Sequence, residues 1–167
     1  MGTHAAGNVR RLRQKEGEGV ISRFGAKYIG VLYLVLGIVG FLPIPWLNPF
    51  HAEGVGTVYL LNLIAVNTLH DIIHLIIGIT GLLASREENT ARLWGKIAGV
   101  ALIVLFAAGM IQAAALGFPK DQLFLGLVPL NSPGHILHLV TGALALYLGF
   151  ANPALISPDG KERQTTP

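Results

Sequence analysis

The chain contains no cysteine, which excludes disulfide bonds, thiolate metal ligands and covalently attached c-type haem. Charged residues are scarce, at 13% of the 167 residues, whereas hydrophobic residues make up 52% and the mean hydropathy is +0.58. Ordinary soluble domains carry about 25% charged residues, so this composition indicates an integral membrane protein. The sequence also lacks hydrolase, P-loop and dinucleotide-binding motifs, which favours a non-enzymatic protein without catalytic residues.

The basic residues indicate a membrane orientation and give no sign of nucleic-acid binding. The isoelectric point is near 9.5, but lysine and arginine flank apolar stretches instead of forming one surface stripe. Because basic residues remain on the cytoplasmic side, both termini and the central loop are predicted to be cytoplasmic in an inner membrane, with Lys120 alone outside. The residues on the cytoplasmic side are Arg10, Arg11, Arg13, Lys15, Arg23, Lys27, Arg86, Arg92, Lys96, Lys161 and Arg163.

Four apolar stretches predict an all-α integral membrane four-helix bundle. They cover residues 22–42, 67–84, 91–116 and 132–150, and each can cross a hydrocarbon core of about 30 Å. Ser22 is predicted to cap the first helix, and the apolar run before Asn67 to be an interfacial segment or an extension of the second helix. The predicted domains are a cytoplasmic polar tail at 1–21, the four-helix domain at 22–150 and a second polar tail at 151–167.

The second half of the helical domain resembles the first at a constant offset of 64 residues. Asn67 and His74 recur as Asn131 and His138, and the apolar runs that precede the two asparagines also match. Each unit contains two crossings, so both units enter the membrane from the same side. The sequence therefore predicts two parallel-topology helical-hairpin repeats, at 22–85 and 90–150.

The second and fourth helices each carry one stripe of polar and small residues among Leu, Ile and Ala. Ionisable groups are costly in hydrocarbon, so both stripes are predicted to face protein. Small residues permit close helix contact, and we expect the two stripes to pack against each other. The stripe residues are Asn67, His70, His74, Gly78 and Gly81, with Asp71 at the edge, and Asn131, His135, His138, Gly142 and Ala145.

These motifs carry a resemblance to a known family. Gly30-Val-Leu-Tyr33 in the first span, Asn67-x-x-His70-x-x-x-His74-Leu-x-x-Gly78, and Pro129-Leu-Asn131 leading to His138-Leu-x-x-Gly142 resemble the bacterial family called domain of unknown function 4383. The resemblance covers residues 24–150 and implies four transmembrane helices in two repeats, with no established activity. The chain departs from the pattern at Pro133-Gly134-His135.

The first hypothesis for function is structural. Asn67 and Asn131 would cap their helices, and the histidines would form hydrogen bonds between helices. The protein would then be an accessory or scaffold subunit that contacts the bilayer and other membrane subunits, or that self-associates.

The second hypothesis is a tetrapyrrole carrier. Imidazole is a common axial ligand of haem iron, and His74 and His138 form a symmetric pair that could bind haem from two sides. A single histidine could instead ligate the magnesium of a chlorophyll-type pigment. His70 and His135 lie on neighbouring turns at the same end of the two helices.

The third hypothesis is a bare transition metal, in a metal-binding protein or transporter. His70 and His74 are spaced i,i+4 and His135 and His138 are spaced i,i+3, and with Asp71 they form a potential ligand set for zinc, copper or iron.

Overall fold

Four helices and two short β-hairpins form the part of the chain that the computed structural model describes, residues 3–42, 57–117 and 122–150. Lys120, the predicted tail at 151–167 and most of the loop after the first helix lie outside these residues. The elements in chain order are α1 (Thr3–Phe41), β1 (Val58–Leu60), β2 (Ile64–Val66), α2 (Thr68–Ala84), α3 (Glu88–Ala115), β3 (Gln122–Phe124), β4 (Val128–Leu130) and α4 (Ser132–Phe150).

Three of the four helices are long and apolar enough to cross a membrane. The spans are Ile21–Phe41, Glu88–Ala115 and Ser132–Phe150, and α2 is a shorter apolar helix of 17 residues. At about 1.5 Å per residue, α2 is roughly 25 Å long, close to the lower limit for a crossing. Large apolar side chains such as Ile76 and Val104 are more than half exposed on the outer helix faces. The predicted four-helix, all-α membrane fold is therefore confirmed.

The first helix begins earlier than its apolar part. It runs from Thr3, so Ser22 lies inside the helix and the prediction that Ser22 caps it was wrong. The polar residues before Ser22 include arginine, lysine, glutamate and glutamine, which are good helix formers and allow the helix to continue. The Ser22 hydroxyl instead donates a hydrogen bond of 2.9 Å to the backbone oxygen of Leu148 in α4.

The glycine-bearing faces pack within each half of the molecule. On α2, a Cβ at Gly78 would lie 2.5 Å from the backbone nitrogen of Leu34 in α1. On α4, a Cβ at Gly142 would lie 3.0 Å from the Cβ of Leu102 in α3. The expectation that the small-residue stripes join α2 to α4 was therefore wrong. Glycine permits any neighbouring backbone to approach, so its presence predicts a close contact without identifying the partner helix.

Each β-hairpin immediately precedes one of the histidine-bearing helices. β1 pairs with β2 so that Val58 lies opposite Val66, and β3 pairs with β4 so that Gln122 lies opposite Leu130. Both turns contain two successive residues with positive φ, namely Leu61 (52°) with Asn62 (58°) and Leu125 (53°) with Gly126 (72°). The two hairpins therefore match at the same offset of 64 residues as the sequence, while the parallel arrangement of the two halves remains a prediction.

The N-terminus of α3 has a carboxylate cap that makes stability depend on pH. Glu87 accepts hydrogen bonds of 3.0 Å from the backbone nitrogens of Asn89 and Thr90, and one from the Thr90 hydroxyl. The Thr90 hydroxyl, followed by the two backbone donors, holds the pKa of Glu87 below its ordinary value. A lowered folded-state pKa stabilises the fold at neutral pH, and this contribution disappears as the pH falls through that pKa.

We therefore expect Glu87→Gln to lower the unfolding temperature slightly at neutral pH, because the amide loses the charge that favours a helix N-terminus. The difference from the wild-type protein should shrink as the pH is lowered below the ordinary pKa of glutamate. Thermal unfolding measured in detergent across this pH range tests the expectation. A difference that stays constant with pH would show that the charge of Glu87 does not contribute.

Candidate metal centre

Three buried histidines from two helices converge beneath the hairpins. His70 and His74 lie one turn apart on α2, and His138 lies on α4. The ring centroids are 4.3 Å apart for His70 and His74, 5.9 Å for His70 and His138, and 6.4 Å for His74 and His138. One nitrogen from each ring can be chosen so that all three lie within 4.8 Å of one another. Each residue is at most 2% exposed, so the three side chains are buried.

Asn67 fixes the start of α2 and also contacts the other half of the molecule. Its Oδ1 accepts a hydrogen bond of 2.9 Å from the backbone nitrogen of His70, which is the usual N-cap interaction. Its Nδ2 donates a bond of 2.8 Å to the backbone oxygen of Leu127, in the turn of the second hairpin. One side chain therefore positions His70 and joins the two halves.

Asn131 makes the reciprocal set of contacts at the start of α4. Its Oδ1 accepts from the backbone nitrogens of Gly134 (3.2 Å) and Ala65 (3.3 Å), and its Nδ2 donates to the backbone oxygen of Leu63 (2.7 Å). We call Asn67 and Asn131 together the asparagine clamp. Because each asparagine caps the helix that carries the histidines and binds the opposite hairpin, the clamp sets how close α2 and α4 lie at the cluster.

Most ring nitrogens of the cluster lack a hydrogen bond of ordinary geometry among the described residues. This holds for both nitrogens of His70 and His74 and for Nδ1 of His138. The backbones of Ala65 and Pro129 still interact with the His70 ring, so the unpaired state is clearest at His74 and His138. Buried polar atoms are nearly always paired with protein, water or an ion, because desolvation without a partner is costly. Unpaired buried nitrogens on both helices, at His74 and at His138, therefore point to a species that binds in the cluster.

Tyr33 lies against the cluster and Thr141 is its hydrogen-bond partner. Neither residue was assigned to the site from the sequence. The Tyr33 ring lies edge-on to His74, with centroids 5.2 Å apart. The Thr141 hydroxyl donates to the backbone oxygen of Leu137 (2.6 Å), so the Tyr33 hydroxyl is the donor in its 2.8 Å bond to Thr141. Both hydroxyls are engaged with each other, which leaves the histidine nitrogens available. Polar side chains within apolar spans were the signal that could have identified this pair.

Two of the predicted site residues have different neighbours. His135 is buried against α3, with its ring centroid 6.3 Å from that of Phe106, and a Cβ at Gly109 would meet the His135 ring. The Asp71 carboxylate faces α1, where a Cβ at Gly40 would meet its oxygens. Within the described ranges, the group of converging ligands therefore consists of three histidines, without Asp71 or His135.

A cavity of about 250 Å³ lies directly beside the cluster. All three histidines line it, and apolar side chains of α2, α3 and the second hairpin form the remaining wall. These apolar residues are Leu69, Ile73, Ile77, Leu102, Leu105, Phe124, Leu125, Leu127 and Val128.

The fold and the paired Asn/His segments have a counterpart among known families. The family model described as "Domain of unknown function (DUF4383)" matches residues 23–151, well over half of the chain. The chain belongs to this family. Neither the curated proteins nor the solved structures gave a significant match. Membership in the DUF4383 family confirms the resemblance seen in the sequence and assigns no activity, so the function must be argued from the site.

Proposed function

We propose that this DUF4383 protein is a membrane protein that binds one transition-metal ion through His70, His74 and His138. The observation that carries the proposal is the convergence of three buried imidazoles, of which both His74 nitrogens and Nδ1 of His138 have no hydrogen-bond partner among the described residues. Neutral imidazole is the commonest protein ligand of metal ions, and three histidines with one open position form a familiar coordination set for zinc.

The spacing of the nitrogens supports coordination of one ion. Metal–nitrogen bonds of about 2.0–2.1 Å in a tetrahedral site place the nitrogens roughly 3.3 Å apart. The three ligand atoms already lie within 4.8 Å of one another, so small rotations of the imidazole rings would complete the site. The hydrogen bonds of the asparagine clamp hold the backbone of both helices in place while the rings adjust.

The donor set favours particular metals. Imidazole suits zinc, copper, iron and nickel, whereas calcium and magnesium require oxygen ligands. The cluster provides three nitrogens and no carboxylate oxygen. We therefore propose a divalent first-row ion, of which zinc and copper are the best matches.

Titration with Co(II), a spectroscopic substitute for zinc, tests the proposal. The wild-type protein in mild detergent should bind one Co(II) per chain and develop visible absorption bands of a tetrahedral site. His74→Ala and His138→Ala should each lower the affinity at least ~100-fold, since even the loss of a residue that only supports a ligand costs about 10–100-fold. His135→Ala is the matched control, because it removes another buried histidine of α4 that lies outside the cluster, and it should bind Co(II) normally.

Elemental analysis of protein purified from its native membrane complements the titration by identifying the natural metal. A wild-type protein that binds no Co(II), Zn(II) or Cu(II) in any of these measurements would overturn the proposal. Equal losses of Co(II) binding in His74→Ala and His135→Ala would also overturn the proposal. They would show that binding depends on the general fold and not on the three clustered histidines.

The geometry gives less support to the tetrapyrrole hypothesis. A macrocycle held between His74 and His138 would have to displace the His70 ring, whose centroid lies 4.3 Å and 5.9 Å from theirs. The adjacent cavity of about 250 Å³ is also smaller than the ~300–1,000 Å³ of typical cofactor and ligand pockets. An intact, colourless protein from native membranes would eliminate haem and chlorophyll-type pigments.

A second proposal is that the protein is an accessory or scaffold subunit, and the asparagine clamp is the observation that favours it. Two reciprocal sets of hydrogen bonds join the halves into one unit that could support a larger assembly. In this proposal the histidines contribute only packing, so Co(II) would not bind. Blue-native electrophoresis of gently solubilised membranes would then reveal a complex larger than the protein itself.

The distribution of basic residues supports the proposed orientation in an inner membrane. Arg23 donates to the backbone oxygen of Ser85 at the end of α2, and the Lys96 ammonium lies 4.7 Å from the ring centroid of Phe150 at the end of α4. The hairpins and the histidine cluster are at the opposite ends of α2 and α4. By the positive-inside rule, we propose that the metal site lies near the outer surface.

A further inference from the structure

We infer that the cavity beside the histidine cluster binds a small, uncharged, largely apolar molecule that carries one donor atom and ligates the metal at its open position. This inference rests on the proposed metal site and goes beyond it, because it assigns a ligand class to the space next to the ion. The juxtaposition of three metal ligands with an otherwise apolar cavity is the observation behind it.

All three histidines border the same cavity, so an ion bound between them faces it. Three protein ligands leave one position open in a tetrahedral site, and such a position accepts water or a substrate in zinc enzymes. The described residues place no fourth histidine or carboxylate within the ligand group. The cavity that all three histidines line is therefore the place from which a fourth ligand can reach the ion.

The wall of the cavity determines what kind of molecule fits. Apart from the histidines, its lining consists of leucine, isoleucine, valine and phenylalanine side chains, including Leu105 and Phe124. Such a wall offers no hydrogen bonds to a charged or strongly polar ligand, and burial of an unpaired polar group is costly. The ligand should consequently be apolar except at the atom that binds the metal.

The volume indicates the size of the part of a ligand that would lie inside the cavity, which is partly open to its surroundings. An engineered apolar cavity of about 150 Å³ holds benzene. The cavity here measures about 250 Å³, which accommodates a single six-membered ring with room for a small substituent. Pyridine satisfies all three requirements, because it is a neutral ring of the size of benzene with one nitrogen donor. It is therefore a suitable probe, whatever the natural ligand is.

The test is a titration of pyridine into the Co(II)-loaded protein, followed by visible absorption. We expect pyridine to shift the Co(II) bands of the wild-type protein in a saturable manner. Leu105→Trp fills the cavity from α3 while retaining all three histidines, and it should bind Co(II) but show no shift at concentrations that saturate the wild-type protein. Ile111→Trp is the matched control, since Ile111 lies on the same helix and is 71% exposed, and it should behave like the wild type.

Leu127→Trp fills the same cavity from the second hairpin and provides an independent block if Leu105→Trp does not fold. Benzene, which lacks a donor atom, should compete with pyridine without shifting the Co(II) bands by itself. Two results would overturn this inference and leave the metal site standing. One is a wild-type protein that binds Co(II) but shows no pyridine shift, and the other is a pyridine shift in both cavity-filling variants that equals the shift in the wild type. Failure of the wild-type protein to bind Co(II) would overturn the proposed function and the inference with it.

Discussion

Gly78→Ala is expected to destabilise the protein by about 3 kcal/mol, the upper end of the usual cost of overpacking. The added Cβ would lie 2.5 Å from the backbone nitrogen and 2.6 Å from the Cα of Leu34. Backbone atoms of a helix cannot rotate away as a side chain can, so α1 and α2 would have to separate. Alanine is otherwise the better helix former by about 0.5–1 kcal/mol, and the clash must exceed this gain. Thermal or denaturant unfolding in detergent measures the difference.

Gly25→Ala provides the matched control for this prediction. Its Cβ would meet the end of the Leu148 side chain, which can change rotamer, and no backbone atom is among its three nearest neighbours. We expect a cost of less than about 1 kcal/mol after the gain in helix propensity. If both substitutions cost the same, the close approach of the α1 and α2 backbones at Gly78 would not be what stabilises this pair of helices.

The helices were predictable because their signal is strong and repeated. Long apolar runs bounded by polar residues indicated four helices, and the confirmed apolar spans begin and end within a few residues of the predicted ones. The hairpins were not predicted, since each strand contains only three residues. An apolar run as short as 59–66 has no periodicity that distinguishes a strand from the start of a helix. Asn62 is a residue type that tolerates positive φ, but Leu61 is not, so the sequence carries only half of the usual signal for this turn.

The candidate site was predictable in part, and the geometry shows why. The i,i+4 spacing places His70 and His74 on one face of any helix, so their proximity follows from the sequence alone. The approach of His138 depends on how α2 and α4 are arranged, which the matching Asn/His segments suggested. His135 and His138 are also near neighbours on one helix, yet α3 contacts the first of these rings. Helical spacing specifies a face, whereas the neighbouring helices determine which side chain of that face reaches the centre.

The sequence predicted that each asparagine caps its own helix, but it did not predict that each also binds the opposite hairpin. A polar residue before an apolar helix is a recognisable N-cap, and Asn67 accepts from His70 in that manner. The bond from its Nδ2 to the other hairpin joins residues 60 positions apart, and a cap motif contains no information about such a partner. The clamp therefore became apparent only in the structure.

Asn67→Ser separates these two roles of the clamp and is expected to lower the affinity for Co(II) about 10–100-fold, the usual cost of losing a group that orients metal ligands. Serine is as good an N-cap as asparagine, so α2 should remain capped. The shorter side chain cannot donate to the backbone oxygen of Leu127, and the two helices lose one of the bonds that set their separation at the cluster. Isothermal titration of Co(II), with thermal unfolding to check the fold, provides the measurement.

Asn67→Ala extends the comparison, because it removes the cap as well as the bond between halves. We expect it to cost about 1–3 kcal/mol more stability than Asn67→Ser, through the lost cap and the unpaired backbone nitrogen of His70. Asn131→Ser should reproduce the loss of Co(II) affinity, since Asn131 donates to Leu63 in the reciprocal position. Unchanged Co(II) affinity in both serine variants would mean that the histidines are positioned by helix packing alone. A fall in affinity with little change in stability would instead establish that the clamp acts on the distance between His138 and the pair on α2.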